Sequence, residues 1–493
     1  MKTISNTALI FLILFLTISC RHNPLKMNEK DLAEEILSGE KNIEKDVKRD
    51  EPSGNINDQP VVIRLKEVRS VDPNTPPVFI DIPGTSDNIR EIKLSEIASS
   101  VRYVKLQTPP DSILLYDHFF SGTSLSSTIS SDGENIIFQG SFGLTRFNMQ
   151  GEYQETIWKN EGITFGQYGP TFSSREFFGV WDAMLVSISD GNLYYSFDNG
   201  PEGKSQVLKY RPETNINFTL QSQTEIIGPG KIKGDTLFNA NSLSLFSFSL
   251  IFGLGQDNWV GINQKWRSGT SGTLMATFNE NGDTLCSFSD YDRIVNFTKP
   301  NYRQPLKFMS YLYDGLLTIK QEYNDTVFRL IPPNRLLPAY ILSFGEYKVT
   351  YTEGINPDID LSGKHLLKSL QETNDFLFIS YTENNDSPAN KIKNSVRYHN
   401  VIFDKKLGEI YHQPGIGQKP YSIKNDLDGG MSFWPDFITP QGEMMKLVSG
   451  KMFKEYINSP GFKESTLPAE KRQKQINIAS GLGVTDMIII ICK

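Results

Sequence analysis

The chain has 493 residues, three cysteines and a formal net charge of −7. That mildly acidic balance lacks the basic surface a nucleic-acid partner needs, so none is expected. Aromatic residues reach 11 %, with 31 Phe and 20 Tyr, which suits sheet faces packed against one another.

In chain order, a basic start at Met1-Lys2-Thr3 precedes an apolar run from Ala8 to Ile18 and then Cys20. The run is too short for an ordinary transmembrane helix and has the layout of a secretory signal peptide over residues 1–19. Leu16-Thr17-Ile18-Ser19-Cys20 resembles a lipobox, with small Ser19 before the cysteine and Thr17 where Leu is usual. Cys20 is therefore the expected lipidation site; a plain signal peptide is the alternative. Residues 21–60 contain no aromatic residue, and seventeen of them are charged, seven basic and ten acidic. Such a segment cannot bury enough apolar surface to offset its ordering entropy, so residues 20–60 read as a flexible charged tether.

From residue 61 to 493 the pattern is β. Short apolar runs following polar turns recur near Ile136, Leu193, Trp259, Leu317, Phe376 and Phe433, at intervals of 57, 66, 58, 59 and 57 residues. A repeat of this kind, somewhat longer than the usual ~40–50 residues, predicts a six-bladed β-propeller with large loops. Turns closed by Gly recur with it: Asn148-Met149-Gln150-Gly151, Asn279-Glu280-Asn281-Gly282, Asp404-Lys405-Lys406-Leu407-Gly408 and Thr439-Pro440-Gln441-Gly442, each between alternating residues. Val207 to Thr214 is a version without Gly. The long second interval predicts an enlarged loop from Gly228 to Asn241, bordering a partner surface. Residues 445–475 are helical in pattern and read as an insertion in the last blade. The branched run Met487–Cys492 reads as a buried strand that closes the ring with Val101–Leu106, removing open edges. Cys286 and Cys492 lie in apolar runs and are expected to be buried free thiols, with a disulfide between them as the alternative in an exported protein.

These segments resemble the six-bladed β-propeller lipoproteins of gut bacterial cell envelopes, distantly akin to NHL-repeat propellers. The resemblance is carried by Ile92–Ile97 with Val101–Leu106, Arg146–Gly151, Tyr323–Leu330, Leu337–Tyr340 followed by Phe344-Gly345, and Asn425–Gly430. It covers about residues 90–493 and departs from the family at Gly166-Gln167-Tyr168-Gly169-Pro170. It implies a fold and an address, an outer-membrane lipoprotein of the cell envelope, and no catalytic residue.

No catalytic constellation stands out. Asn425-Asp426-Leu427-Asp428-Gly429 is the nearest thing to a calcium loop, but it lacks the full spacing and reads as a turn. Asn324-Asp325-Thr326 reads as a hairpin turn. His22, His118, His365, His399 and His412 show no zinc spacing, so no metal or cofactor is expected. Gly-Ser runs such as Ser268–Thr273 are surface loops rather than phosphate cradles. Trp158, Trp181, Trp266 and Trp434 are either core residues or platforms for sugars. The expectation is a lipid-anchored binding or interaction module for a glycan, peptide or envelope protein, with the membrane as partner through its anchor. The alternative is a hydrolase or lyase acting on a polysaccharide or lactone-like substrate in a central channel.

Overall fold

The computed structural model describes residues 64–110, 129–140, 143–159, the strands between 164 and 262, 272–291, 308–356, 358–384, 395–414 and 422–493. Cys20 and the tether lie outside the described residues, as do His22, His118, Trp181 and Trp266.

The fold is an all-β, propeller-like arrangement with few helices. Five sheets are four-stranded antiparallel blades. Blade 1 holds Ile129–Ser131, Asn135–Gly140, Gly143–Asn148 and Tyr153–Lys159. Blade 2 holds Met184–Ser189, Asn192–Asp198, Ser205–Lys209 and Asp235–Asn239, and blade 3 holds Leu250–Gly253, Trp259–Ile262, Thr273–Phe278 and Thr284–Ser289. Blade 4 holds His365–Glu372, Phe376–Glu383, Arg397–Asp404 and Glu409–His412. Blade 5 is assembled from both ends of the domain: Phe437–Ile438, Met444–Ser449 and Met487–Cys492 are joined by Val101–Lys105.

The expectation of six like blades is corrected. The meander between blades 3 and 4, made of Phe308–Tyr313, Leu316–Gln321, Thr326–Ile331 and Arg335–Ser343, belongs to a six-stranded mixed sheet. Val68–Arg69 and Val78–Asp81 add in parallel to its last strand. The same N-terminal segment touches neighbouring sheets at their outer edges. Leu65 N–H donates to Leu285 O of blade 3, and Arg90 N–H donates to His412 O of blade 4, each at 2.8–2.9 Å. It then enters blade 5 as the outermost strand, so residues 64–105 form a strap along four consecutive sheets. An edge that would otherwise expose a ladder of unpaired groups is thereby covered.

Five of the six sequence markers (Ile136, Leu193, Trp259, Leu317 and Phe376) lie in the second strand of their sheets. Phe433 does not. It makes an isolated bridge with Ile423 ahead of blade 5, whose phase is shifted because the chain termini share it. The Gly-closed turns form as read. Asn148 O accepts from Gly151 N–H at 2.9 Å, while Asn148 Oδ1 accepts from Gln150 and Glu152 N–H at 3.0 and 2.9 Å. Asn279 repeats the arrangement with Gly282, Asn281 and Asp283. Gly151 has φ +83°, and a Cβ there would lie 2.3 Å from Lys105 O, so the turn demands glycine on two counts.

Among the described residues, apolar cores fill the spaces from blade 3 through the six-stranded sheet, blade 4 and blade 5 round to blade 1. Met487–Cys492 is wholly buried and serves two of them. Ile488, Ile490 and Cys492 face blade 4 and the helical insertion, whereas Met487, Ile489 and Ile491 face blade 1. A strand buried on both faces explains an uninterrupted apolar run where an alternating one would otherwise be needed. The antiparallel pairing of Met487–Cys492 with Val101–Lys105 is the strand closure anticipated from the sequence.

The helical insertion lies between the second and third strands of blade 5 as Gly450–Asn458, Pro460–Lys463 and Ala469–Ser480. Its start is later than the pattern suggested, because Met445 and Leu447 belong to a strand. The loop expected from Gly228 to Asn241 is instead mostly strand. Asn215–Gln221 pairs with Ile226–Lys233 as an inserted hairpin, and Asp235–Asn239 completes blade 2. The Gly-Pro-Gly pattern there reads as a loop, but pairing within the hairpin overrides it.

Candidate functional site

A polar cleft lies between the six-stranded sheet and blade 4. The sheet contributes the turn around Lys320, Glu322, Tyr323 and Asp325. The connection to blade 4 contributes Phe344, Lys348 and Val349, and blade 4 itself contributes His365, Leu366 and Leu367.

The connection is held firmly for a segment between sheets. Thr350 and Glu353 form a reciprocal capping box on the short helix Tyr351–Ile355, with Thr350 N–H donating to Glu353 Oε2 at 2.8 Å. Lys364 Nζ donates to Lys348 O at 2.9 Å and pairs with Glu353 at 3.3 Å. A Cβ at Gly354 would lie 2.2 Å from the Tyr323 ring, so glycine lets the helix settle onto that wall of the cleft. Tyr323, Val349, Ile355 and Leu361 make a small apolar core beneath it.

Four rings stack beside the cleft. Tyr347 lies on His365 with centroids 4.6 Å apart and an interplanar angle of 17°. His365 meets Tyr381 at 4.9 Å, and Tyr381 lies flat on His399 at 4.8 Å. Phe344 sets its edge against both His365 and Tyr381. Burial, reinforced by nearby His399, pushes the His365 imidazole down to about 4, so it is neutral at pH 7. His399 is likewise lowered by burial, against the pull of Glu383 at 3.8 Å. His365 Nδ1 is buried without a hydrogen-bond partner.

The cleft's charged groups are already engaged. Lys348 Nζ and Asp325 Oδ2 are 2.7 Å apart. Buried Lys320 donates to Gln321 O and Glu322 O at 2.8 and 3.1 Å. The cleft thus offers fixed donors and acceptors between apolar walls. That is the composition of a small-molecule site: mostly apolar walls with a few oriented polar groups.

Two other polar clusters are structural. Glu372, whose side chain has no exposed surface, accepts from Arg329, Lys405 and Tyr340 at 2.7, 2.6 and 2.6 Å and from Tyr311 at 2.8 Å. Burial would raise its carboxyl, but Arg329 and Lys405 hold it below the ordinary range. This knot joins the six-stranded sheet to blade 4 at the opposite end of the His365–Glu372 strand from the cleft. The second cluster is the former calcium candidate. Asp428 Oδ1 accepts from Tyr103 OH, Asn425 Nδ2 and Gly430 N–H at 3.0, 2.8 and 3.1 Å, and Lys474 Nζ lies 3.1 Å from Oδ2. An ammonium supplies the positive charge there, and the loop fastens the helix Ala469–Ser480 to blade 5. Asp426 points elsewhere, accepting from Ser95 N–H and OH at 3.0 and 2.7 Å. The turn reading therefore holds, and among the described residues no three His, Cys, Asp or Glu side chains gather as a metal site.

The remaining sequence candidates disperse. Asn324 closes a turn by accepting from Thr326 N–H at 2.9 Å, as expected, and its neighbour Asp325 also belongs to the cleft. His412 is buried beside Thr85, 3.2 Å from its hydroxyl. Trp434 is core, edge-on to Phe378 at 5.5 Å. Cys286 and Cys492 are buried and unpaired, and burial pushes their thiols up to about 11 and about 12. Lys320, Tyr347, Lys348 and Tyr381 were not legible as site residues. The nearest clue was that Tyr323–Leu330 and Phe344-Gly345, two segments carrying the family resemblance, flank the cleft.

Comparison with solved structures places the fold. The chain is similar to a Bacteroides fragilis protein described as exported, with a TM-score of 0.50 and 14 % identity, covering 84 % of this chain and 99 % of that one. A member of the DUF4221 family from Bacteroides vulgatus matches with a TM-score of 0.35 and 10 % identity over 80 % of this chain and 96 % of that one. The extracellular domain of a protein of Bacteroides thetaiotaomicron described as a one-component system matches with a TM-score of 0.26 and 13 % identity, covering 64 % and 30 %. No curated protein matches the chain. No helix among the described residues is long and apolar enough to cross a membrane. A family model matches residues 60–459, most of the domain built above, and the chain belongs to that family, described as "Domain of unknown function (DUF4933)".

Proposed function

We propose that this protein is an exported, lipid-anchored propeller of the cell envelope that binds a ligand at the cleft between the six-stranded sheet and blade 4. The observation that carries the reading is a cleft with apolar walls and His365 in its lining, whose sides are pinned by a capping box, a glycine contact and an ion pair. Rigid walls of this kind are preorganised for binding. The description of the Bacteroides fragilis neighbour as exported and the apolar run ending at Cys20 support the address. One acyl chain holds a protein only marginally, so a multiply acylated Cys20 would give the stable anchor.

The binding reading is tested by thermal melting of the full chain against a library of envelope glycans and peptides. A ligand at 100 times its Kd stabilises by about 2.7 kcal/mol. Stabilisation that Tyr347→Ala and His365→Ala reduce supports the cleft; reproducible turnover of any substrate overturns the binding module. Mass spectrometry of the mature N-terminus tests the anchor: an acylated Cys20 is expected, and cleavage at another residue overturns it.

A further inference from the structure

We infer that the connection from Gly345 to Gly363 is a lid, closed in this structure, that opens as one unit to admit a ligand to the cleft; its purpose, though not its motion, rests on the cleft being the binding site. The cleft as it stands encloses room for about one water molecule, so nothing larger enters unless a wall moves. The wall built to move is the connection between the six-stranded sheet and blade 4. It begins and ends at a glycine with positive φ, +54° at Gly345 and +75° at Gly363. Among the described residues, a Cβ at Gly345 would meet only Pro83 Cγ, at 3.7 Å, and one at Gly363 nothing within 4 Å. Packing does not demand these glycines. The backbone turn does, and without a Cβ the chain can swing there through a wide range of φ.

Between the glycines the segment is tied to itself. The capping box of Thr350 and Glu353 holds the helix Tyr351–Ile355, and Gly354 N–H donates to Thr350 O at 2.8 Å. Ser362 N–H donates to Asp360 Oδ1 at 3.0 Å. Val349, Ile355 and Leu361 of the lid share a small apolar core with Tyr323, apart from the cores between the sheets. Tyr323 is supplied by the sheet's turn, so opening parts this core at one ring. The ion pairs that hold the lid shut are reached by water: Lys348 with Asp325 at 2.7 Å and Glu353 with Lys364 at 3.3 Å, all four side chains part exposed. Solvated pairs are weak latches, and a satellite core opens before the main cores do. Closed, the lid is a rigid wall; open, it is the entrance.

The test is native-state hydrogen exchange on the full chain, read by mass spectrometry. The amides of Gly354, Asn356 and Ile359, all hydrogen-bonded within the lid, should exchange together. They should do so at least roughly tenfold faster than the amides of Arg335–Ser343 and His365–Glu372 on either side. Gly354→Ala sets a methyl group 2.2 Å from the Tyr323 ring, so the lid must rise. Lid exchange should then quicken a further tenfold or so while the flanking strands stay protected. Asp325→Asn disturbs no packing and should quicken it about two- to fivefold, which keeps the test open if the Ala variant folds poorly. Lid amides that exchange no faster than the flanking strands, or that both substitutions accelerate in step with them, overturn the lid, because the segment then opens only with the domain. Any glycan or peptide that stabilises the chain in the melting screen should also slow lid exchange. If one binds while lid and strands exchange in step, the lid falls and the cleft stands as a binding site. If the lid opens as expected and none binds, the motion stands and its role in admitting a ligand falls.

Discussion

Glu372 shows what a single side chain does in this fold. Two cations and two tyrosine hydroxyls converge on a carboxylate with no exposed surface, and Tyr313 lies under both cations, 4.3 Å from the Arg329 guanidinium and 4.2 Å from Lys405 Nζ. Removing the carboxylate by Glu372→Ala leaves Arg329 and Lys405 facing each other without their anion. Loss of one partner from a buried pair costs about 3–5 kcal/mol, and urea denaturation should show a fall of that size. A loss under about 1 kcal/mol would mean that water already reaches the knot. His365 gives the opposite electrostatic case. Its folded value of about 4 lies below the ordinary 6.5, so between those values the unfolded chain binds the proton that the folded chain refuses. Stability is therefore full above about pH 6.5, falls as pH drops through that window, and levels off below about pH 4. Solvent screening of this half-buried ring reduces the effect to the order of 1–2 kcal/mol. Melting followed from pH 7.5 to pH 4.5 should show the fall, and His365→Asn should flatten it. An unaltered slope would assign the acid sensitivity to His399 and His412, which burial lowers in the same direction.

Among the elements, the strap is the one with no counterpart in a plain four-stranded blade. Val68 N–H donates to Asn334 O at 2.8 Å, and the Val68 residue is 40 % exposed. Val68→Pro removes the donor and little packing, so it should destabilise by about 0.5–1.5 kcal/mol. Hydrogen exchange should then quicken at Arg335 and Leu336, the register partners of Val68–Arg69, and stay unchanged in blade 1. Uniformly faster exchange would mean that the strap opens only with the whole domain. This element also marks where sequence reading stopped. Turns were legible because Asn148, Asn279 and Asp404 carry their own chemistry, a side-chain oxygen accepting from the next backbone amides. The closing strand was legible because six apolar residues in a row can only be buried. Val68 and Val78–Asp81 join a sheet some 260 residues away in sequence, and no local pattern encodes that pairing. The cleft was illegible for the same reason: Tyr347, His365, Tyr381 and His399 come from a connection and three strands, and only the register of blade 4 stacks them.

At the scale of the whole domain, the question is what keeps a ring of sheets from opening. From blade 3 round to blade 1 the sheets pack on one another through apolar cores, but only blade 5 draws strands from both ends of the domain. Met487–Cys492 sits between Met444–Ser449 and Val101–Lys105, in antiparallel register with each, and fills two cores at once. Six buried side chains at roughly 1.5–3 kcal/mol apiece sum to ~9–18 kcal/mol, as much as the entire ~5–15 kcal/mol by which a domain is stable. A chain ending at Gly481 should therefore not merely melt earlier. It should lose its single cooperative transition, because Val101–Lys105 would have no strand to pair with and the cores facing blades 1 and 4 would each lose three residues. A graded version keeps the ring intact: Ile489→Ala, fully buried in the core toward blade 1, should cost about 2–5 kcal/mol. Calorimetry of the three proteins separates the cases. A cooperative, unshifted transition in the truncated chain would show that the helical insertion and the strap hold the ring by themselves. A non-cooperative truncation beside a cooperative but destabilised Ile489→Ala would identify this strand as the closure.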